Sequence, residues 1–410
     1  MKIWLKYLLG ITIGIVLGIF ISPENIVFKD VLNFLTELTI NIGRFTIFPI
    51  VFFSIGYGTF KLKQENRLGP IYLKTGAYIV VSSTLLVLIA TGIVLLFAPD
   101  RIPIIIENQI SYSFPGYKNI LTSIFPMSLF QIFSENSNYL LPVTFLGFLL
   151  GNNFSFDKVM TRPAYQFFDA MSRILYHIGS FIVEILGFGM IILATNFTIQ
   201  IIHTPQLVLF NQLIILFVIN TTLVIFGIYP ALIYFLGGKQ NPYKIIYAIL
   251  GPSLAAAASG NSYFTLSSLT LHVKENLGVP RKIGSATLPV FTLFGKAGTA
   301  AITSITFILI LKSYSSLAIG PLEILWIMLF SILSSFLAGT VPGLGVLVSL
   351  SAMCKLYGKG LEEGFLIIGS IAPILVSFSV LIDTVTAGVS SFLIAHHEKG
   401  NKEIPIRDFI

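Results

Sequence analysis

Charged residues are scarce in this chain. Asp, Glu, Lys and Arg make up 10% of the 410 residues, whereas a soluble domain usually carries about 25%. Hydrophobic residues make up 55%, and the mean hydropathy is +0.89. A chain with so few charges cannot cover the surface of a soluble protein, so the composition predicts an integral membrane protein.

Cysteine is almost absent. Cys354 is the only one, which excludes an internal disulfide and a cluster of thiolate metal ligands. The formal charge of +7 does not indicate nucleic-acid binding, because the basic residues are spread among short loops. An intramembrane hydrolase would need a nucleophile with a base or a set of paired carboxylates, and the sequence suggests neither. We therefore expect no enzyme activity, no cofactor and no nucleic-acid partner.

Long apolar runs separated by short polar segments fill most of the chain. About 20 apolar residues are enough for a helix to cross the bilayer core, and these runs lack the period-two alternation of barrel strands. The sequence predicts an all-α membrane protein with eight spanning helices, the first retained and not cleaved as a signal peptide. The predicted spans are 4–22, 31–60, 71–98, 117–152, 165–197, 206–236, 283–311 and 364–395.

Two further apolar stretches, 245–278 and 320–358, are interrupted by Gly, Pro and other small residues. The cytoplasmic side of a membrane protein is expected to carry an excess of basic residues. With both termini inside, the loops show this excess only if each stretch enters and leaves the membrane on the same face. We interpret them as opposed re-entrant hairpins, 245–278 from inside and 320–358 from outside. The inside then carries Lys2, Lys6, Lys61, Lys63, Arg67, Lys74, Lys158, Arg162, Lys239, Lys244, Lys274, Arg281, Lys282, Lys399, Lys402 and Arg407, and the outside carries Lys29, Arg101, Lys118, Lys312, Lys355 and Lys359.

The two interrupted stretches place a candidate site. The first breaks at ASGNSYF (258–264) and the second at AGTVPGLG (338–345), and each is followed by a spanning helix, which makes an inverted repeat. In secondary transporters, solutes and ions bind near the midplane, where such half-helices meet. Close helix packing would also explain the small residues, but it does not account for Pro342 between glycines.

Lys296 is the only charged residue between Lys282 and Lys312. An ionisable residue inside a span is a functional-site hypothesis by default. Asp383 is the only carboxylate in the run 364–395. Because pairing lowers the cost of burying a charge, we predict that Lys296 and Asp383 form an ion pair. A pair that merely fills a dead site remains the alternative.

Several motifs carry a family resemblance. One family of membrane transporters has a seventh helix in which T-L-P precedes N-M-D-G-T-A, and the stretch IGSATLPVFTLFGKAGTAA, from Ile283, is similar to it at the same spacing. The stretch VPGLG (341–345) resembles the V/I-P-G-A-G hairpin tip of the same family. IGRFTIFPIVFFSIGYG and LPVTFLGFLLG resemble a second and a fourth helix. From about residue 5 to 397, the chain resembles the dicarboxylate/amino-acid:cation symporters, the glutamate-transporter family.

The resemblance implies a homotrimer in the cytoplasmic membrane, with a solute path in each protomer. It implies a scaffold of approximately 1–65 and 117–205. It also implies a transport part of approximately 66–116 and 206–398 that moves like an elevator. The substrate-binding residues that we carry over or place at the hairpin tips are Ser262, Thr299, Val341, Gly343, Ser379 and Asp383.

Departures from the family pattern concern the ions. Gly295, Lys296 and Ala297 stand in the N-M-D positions, and on the third helix only the hydroxyls of Ser82 and Ser83 remain of the ion ligands. In the last helix, Val376 and Ala387 each stand where the family keeps an Asp. Ser379 stands where the family keeps an Arg or a smaller residue. Sodium prefers oxygen ligands that include a carboxylate. We therefore predict weak or absent sodium coupling, with Lys296 in the ion-site region formed by Gly295, Ala297, Ser82, Ser83 and Asp383.

Three functions remain open from the sequence. The first is a transporter of a small organic solute, such as an amino acid or a carboxylate. The second is a proton-coupled carrier of a neutral substrate, and the third is a transport-inactive relative that acts as a sensor or subunit. A channel is less favoured, because a channel does not require two opposed hairpins.

Overall fold

The regular elements of the computed structural model are all helical within the ranges that it describes. Helices suit a chain with this composition, because each backbone N–H and C=O is then satisfied within its own segment. Large apolar side chains such as Phe20, Leu96 and Phe188 point outward from the bundle, as expected where lipid replaces water. The described residues are 1–21, 26–103, 122, 124–134, 139–157, 159–204, 207–238, 240–314 and 319–410.

Eight of the described helical segments are long and apolar enough to cross a membrane, and this confirms the prediction of a multi-pass helical protein. Seven of them coincide with predicted spans. The eighth, Pro321–Thr340, is the first half of the predicted stretch 320–358. The segments are Ile3–Phe20, Phe28–Gln64, Leu68–Phe97, Arg162–Ile202, Leu207–Leu236, Arg281–Tyr314, Pro321–Thr340 and Gly364–His397.

The predicted span 117–152 is wrong as a continuous helix. Its described part contains only the short helix Gln131–Ser134 and the helix Leu140–Asn153. The sequence SENSN (134–138) lies between them and is too polar to continue an apolar span. Residues 104–121, which include the end of the predicted transport range 66–116 and the start of the predicted span 117–152, lie outside the described residues. Lys118, Lys158 and Lys239, which were assigned to one side of the membrane from the sequence, also lie outside them.

Two pairs of consecutive helices replace simple spans in the second half of the chain. The first helix pair consists of Leu250–Ser259 and Ser262–Glu275, which contact each other. The second helix pair consists of Pro321–Ser335 and Gly345–Tyr357, with a 3-10 turn at Phe336–Thr340. The first interruption, at Gly260 and Asn261, falls within the predicted break 258–264. The second, Phe336–Leu344, begins two residues before the predicted break 338–345.

Glycine decides how the first helix packs. Gly10, Gly14 and Gly18 face the helix Arg162–Ile202, and a Cβ on Gly14 would lie 2.4 Å from the Ile191 carbonyl oxygen. A stripe of small residues at every fourth position lets two membrane helices approach closely. These helices form the larger part of a second apolar core, separate from the main one.

The centre of the main core is the segment Arg281–Tyr314, whose apolar window is almost entirely buried. It contacts Leu68–Phe97 and the last span. Lys296, in the middle of this segment, is 3% exposed and must therefore find its partners inside the protein.

Candidate functional site

The central segment is broken where Lys296 stands. One helix ends at Phe294, the next begins at Ala297, and Gly295 and Lys296 lie between them. The Lys296 N–H bonds to the Phe294 carbonyl at 2.9 Å, and the Lys296 carbonyl accepts from Ala300 N at 2.8 Å. The uninterrupted helix predicted over 283–311 is therefore wrong. The break leaves the first N–H groups of Ala297–Tyr314 without helical partners in the centre of the bundle.

Asp383 satisfies two of those N–H groups. Its Oδ1 accepts from Gly298 N at 2.7 Å and Thr299 N at 3.0 Å, and its Oδ2 accepts from Thr299 Oγ1 at 2.7 Å. A carboxylate at a helix N-terminus is also stabilised by the positive end of the helix dipole. Asp383 of the last span therefore caps a helix of the central segment from across their interface.

Gly298 allows this capping contact. A Cβ at position 298 would lie 2.5 Å from Ile382 Cβ and 2.6 Å from the Ser379 carbonyl oxygen. The two spans thus touch through backbone at this point. Ser379 itself is buried, and its hydroxyl donates to the Val376 carbonyl at 2.9 Å.

Lys296 is almost fully buried and has two partners. Its Nζ donates to Ser262 Oγ at 2.7 Å and lies 3.8 Å from Asp383 Oδ2. Only 3% of the Lys296 side chain and 5% of the Asp383 side chain are exposed. The predicted ion pair is thus present at the outer limit of ion-pair distance. Ser262 is the first residue of the helix Ser262–Glu275, so the ammonium links three separate elements.

The turns of the two helix pairs meet beside this cluster. Tyr263 OH donates to the Gly339 carbonyl at 2.6 Å, and a Cβ on Gly343 would lie 3.4 Å from Asn261 Nδ2. Gly343 has a φ of +86°, which favours glycine at the turn. Asn261 Oδ1 caps the helix Ser262–Glu275 by accepting from Tyr263 N and Phe264 N, both at 3.1 Å.

A cleft of about 640 Å³ opens at these turns. One wall is formed by the turns and the start of the last span, including Gly260, Gly343 and Val376. The opposite wall is formed by the helices Ile26–Arg44 and Arg162–Ile202 and includes Lys29 and His203. None of the described residues that line the cleft is an Asp or Glu.

The model of the family described as "Sodium:dicarboxylate symporter family" matches residues 3–397. The chain belongs to the sodium:dicarboxylate symporter family. This confirms the resemblance found in the sequence. Since the family consists of symporters, membership is also consistent with the expectation of a multi-pass transporter that is not an enzyme.

Individual relatives are distant. A "Proton/sodium-glutamate symport protein" of Geobacillus stearothermophilus is 21% identical over 361 residues, which cover 84% of this chain and 83% of that protein. A "Serine/threonine transporter SstT" of Campylobacter jejuni is 25% identical and covers 85% and 84%. "Neutral amino acid transporter A" of Homo sapiens is 30% identical, but only over 30% of this chain and 23% of that protein.

Of the remaining predicted residues of this symporter family member, Ser82, Ser83 and Val341 make no hydrogen bond to Lys296 or Asp383. Ser82 donates to the Ile79 carbonyl at 3.2 Å, whereas the buried Ser83 hydroxyl has no hydrogen-bond partner within the described part of the chain. Val341 lies in the turn of the second helix pair, and Gly295 and Ala297 flank Lys296. The described residues contain no group of three His, Cys, Asp or Glu side chains that could hold a metal ion.

Sequence reasoning missed three parts of the site. It did not identify Asn261 as a cap, Tyr263 as a link between the two helix pairs, or the helix break at Gly295. The pattern S-G-N-S (259–262) carried a usable signal, because Gly followed by Asn marks the end of one helix and the start of the next. Tyr263 had no such signal, because its partner is a backbone carbonyl 76 residues away.

Proposed function

We propose that this chain is a secondary transporter that moves a small organic solute, such as an amino acid or a carboxylate, across the cytoplasmic membrane. The observation that carries the proposal is the meeting of both helix-pair turns at the break of the central segment. Broken helices at membrane depth are tolerated where they line a cavity, and transporters use such half-helix ends to bind solutes and ions. Here the turns line the cleft and also adjoin the Lys296–Asp383 pair, although neither Lys296 nor Asp383 lines the cleft itself.

An elevator movement of the transport part against the scaffold is the mechanism that we propose. The two helix pairs would be re-entrant hairpins that move with Leu68–Phe97, Leu207–Leu236, the central segment and the last span. Ile3–Phe20, Phe28–Gln64 and Arg162–Ile202 would form the scaffold and the contacts of a homotrimer. In support of this division, the cleft lies between the two groups and is lined by both.

The chemistry of the cleft favours a solute with a carboxylate or with neutral polar groups. Lys29 and His203 line one wall, and Ser259 and Ser377 line the other. Without an acidic side chain in the lining, the cleft would not hold a cationic solute. This is compatible with the glutamate, serine, threonine and neutral amino acids named for the relatives.

Lys296 would occupy the ion-site region as a tethered cation. Its ammonium lies beside the carboxylate of the last span, and every Asp383 oxygen already accepts a hydrogen bond. A sodium ion would have to displace Lys296 or the helix cap. We therefore propose weak or absent sodium coupling, with a proton as the alternative coupling ion.

Because both Asp383 oxygens already accept hydrogen bonds, a second candidate function is also supported, that of a transport-inactive relative with a sensing or subunit role. Solute counterflow in proteoliposomes distinguishes the two candidates. Liposomes loaded with unlabelled glutamate, serine, alanine or succinate should accumulate at least one labelled solute of the same kind, without any ion gradient. Empty liposomes and liposomes that contain a Gly343→Val variant, whose turn is strained by its φ of +86°, are the controls. No accumulation with any of these solutes would favour the inactive relative.

A further inference from the structure

A second cavity lies at the opposite end of the last span from the cleft. Its volume is about 690 Å³, and it sits where the spans Leu207–Leu236 and Gly364–His397 end. The segment 399–404 and the start of the Pro242–Ala248 helix complete its wall. In a bilayer crossed by these two spans, a cavity at their ends would lie at the level of the lipid headgroups.

The wall of this cavity is held in place by specific contacts. Lys402 N donates to the Gly278 carbonyl at 3.1 Å, and Asn401 Nδ2 donates to the Phe392 carbonyl at 3.3 Å. Gly278 has a φ of +62°, and a Cβ there would lie 1.9 Å from the Lys402 carbonyl oxygen. The segment that carries Lys399 and Lys402 is therefore fixed against the turn at Gly278.

The lining carries a net positive charge. Lys244, Lys399, Lys402, His396 and His397 all contribute, and Glu403 is the one acidic residue among the described lining residues. Glu403 is paired with Lys244 at 2.9 Å. Within the described residues, no ion pair neutralises Lys399 or Lys402, and the Oδ1 of Asn401 is buried without a hydrogen-bond partner.

The neighbouring Glu398 does not offset these charges. It forms ion pairs with Lys74 and with Arg67, the latter at 3.0 Å, on the side of the Leu68–Phe97 helix. The hydrogen bond from Lys74 holds the pKa of Glu398 below its usual range. The carboxylate is thus already committed, and the cavity keeps its positive charge.

Apolar surface adjoins the basic lining. Phe235 and Leu236 line the same cavity, with 79% and 42% of their surfaces exposed. A ligand that matches both features has an anionic head and an apolar tail. We propose that this cavity binds an anionic phospholipid, with the phosphate at Lys399 and Lys402 and the acyl chains along Phe235 and Leu236. Basic pockets between helix ends are suited to such headgroups.

The test is lipid binding to the purified full-length protein in a neutral detergent. Native mass spectrometry would count bound phosphatidylglycerol and phosphatidylcholine, and thermal unfolding would report stabilisation by each lipid and by inorganic phosphate. We expect one phosphatidylglycerol to be retained and to raise the unfolding temperature. Phosphatidylcholine and inorganic phosphate should have no such effect.

The variant Lys399→Gln/Lys402→Gln should bind phosphatidylglycerol about 25-fold more weakly, at roughly fivefold for each lysine. Lys355→Gln/Lys359→Gln is the matched control, because Lys359 and Lys399 are both exposed and have φ values of +55° and +52°. Its binding should equal that of the wild type. Equal binding by both variants, no retained phosphatidylglycerol in the wild type, or equal stabilisation by inorganic phosphate would each overturn the proposal.

Discussion

The carboxylate of Asp383 both caps the helix Ala297–Tyr314 and lies near the Lys296 ammonium. The sequence could predict the second role, because a lone lysine and a lone aspartate in neighbouring apolar runs have few other partners. It could not predict the first, because the capping bonds come from backbone N–H groups that become free only at the helix break. For the same reason, Ser262 was expected at the site but not as the closest hydrogen-bond partner of Lys296.

A double-mutant cycle tests the coupling of Lys296 and Asp383. Asp383→Asn keeps an acceptor for the Gly298 and Thr299 N–H groups but leaves the ammonium without a counter-charge, so we expect a loss of about 3–5 kcal/mol. Lys296→Met should cost less, because the carboxylate keeps its three hydrogen bonds. The double variant should be more stable than Asp383→Asn alone.

The measurement is thermal unfolding of the four proteins in one detergent. Asp383→Ala is a useful further variant, because it also removes the helix cap and should be the least stable of the set. If the losses of Lys296→Met and Asp383→Asn simply add, the two side chains do not interact, and the description of Lys296 as a tethered cation loses its support.

At the scale of elements, hydropathy predicted where apolar helices lie but not where their backbones are interrupted. The turns at 258–264 and 338–345 could be located because small residues, Gly and Pro gather there. The break at Gly295 was missed, because a single glycine in an apolar run is also compatible with a continuous helix. The run 117–152 was counted as one span although SENSN divides it. Hydropathy averaged over a window hides such short polar segments.

Close backbone packing at Gly298 leads to a prediction about the two central helices. Gly298→Ala should destabilise the protein by about 1–3 kcal/mol, because the methyl group would force the helix Ala297–Tyr314 away from Ile382 and disturb the Asp383 cap. Gly92→Ala is the control, since a Cβ at this position of another span meets nothing within 4 Å. Thermal unfolding should show a loss for the first variant only. Equal stability of the two would contradict the close contact described here.

Polar contacts between the proposed scaffold and transport part should favour the present arrangement. Lys282 Nζ lies 2.5 Å from Glu65 Oε2, and Arg281 Nη1 lies 2.7 Å from Asp169 Oδ1. An elevator movement has to break both pairs. Each exposed or half-exposed pair contributes about 0.2–1 kcal/mol, so Glu65→Gln/Asp169→Asn should change the ratio of the two states by up to about 30-fold.

Distances between spin labels at Met160 and Leu322, both exposed, would measure that ratio. Glu398→Gln is the control, because it breaks an ion-pair network with Arg67 and Lys74 that lies within the proposed transport part. We expect a second distance population to grow in the double variant and not in the control. Unchanged distances in the double variant, or equal changes in both, would contradict a movement between these two parts.

For the whole molecule, the sequence predicted the helical membrane class and the symporter family, and both are confirmed. Composition is sufficient for the class, and the order of weak motifs over almost 400 residues is sufficient for the family. Which side chains contact Lys296 could not be predicted from the sequence, because it depends on three-dimensional packing. Whether Lys296 faces lipid, water or a carboxylate is decided by how the central segment packs against the last span and the first helix pair.

The central claim is that a tethered ammonium occupies the region where a sodium ion would bind. The most direct measurement is solute uptake into proteoliposomes at constant pH and membrane potential, with sodium varied against choline, for a solute identified by counterflow. We predict that the initial uptake rate will be independent of sodium, with no cooperative rise. A rate that increases steeply and cooperatively with sodium would contradict the claim, because it would require sodium sites that Lys296 leaves available.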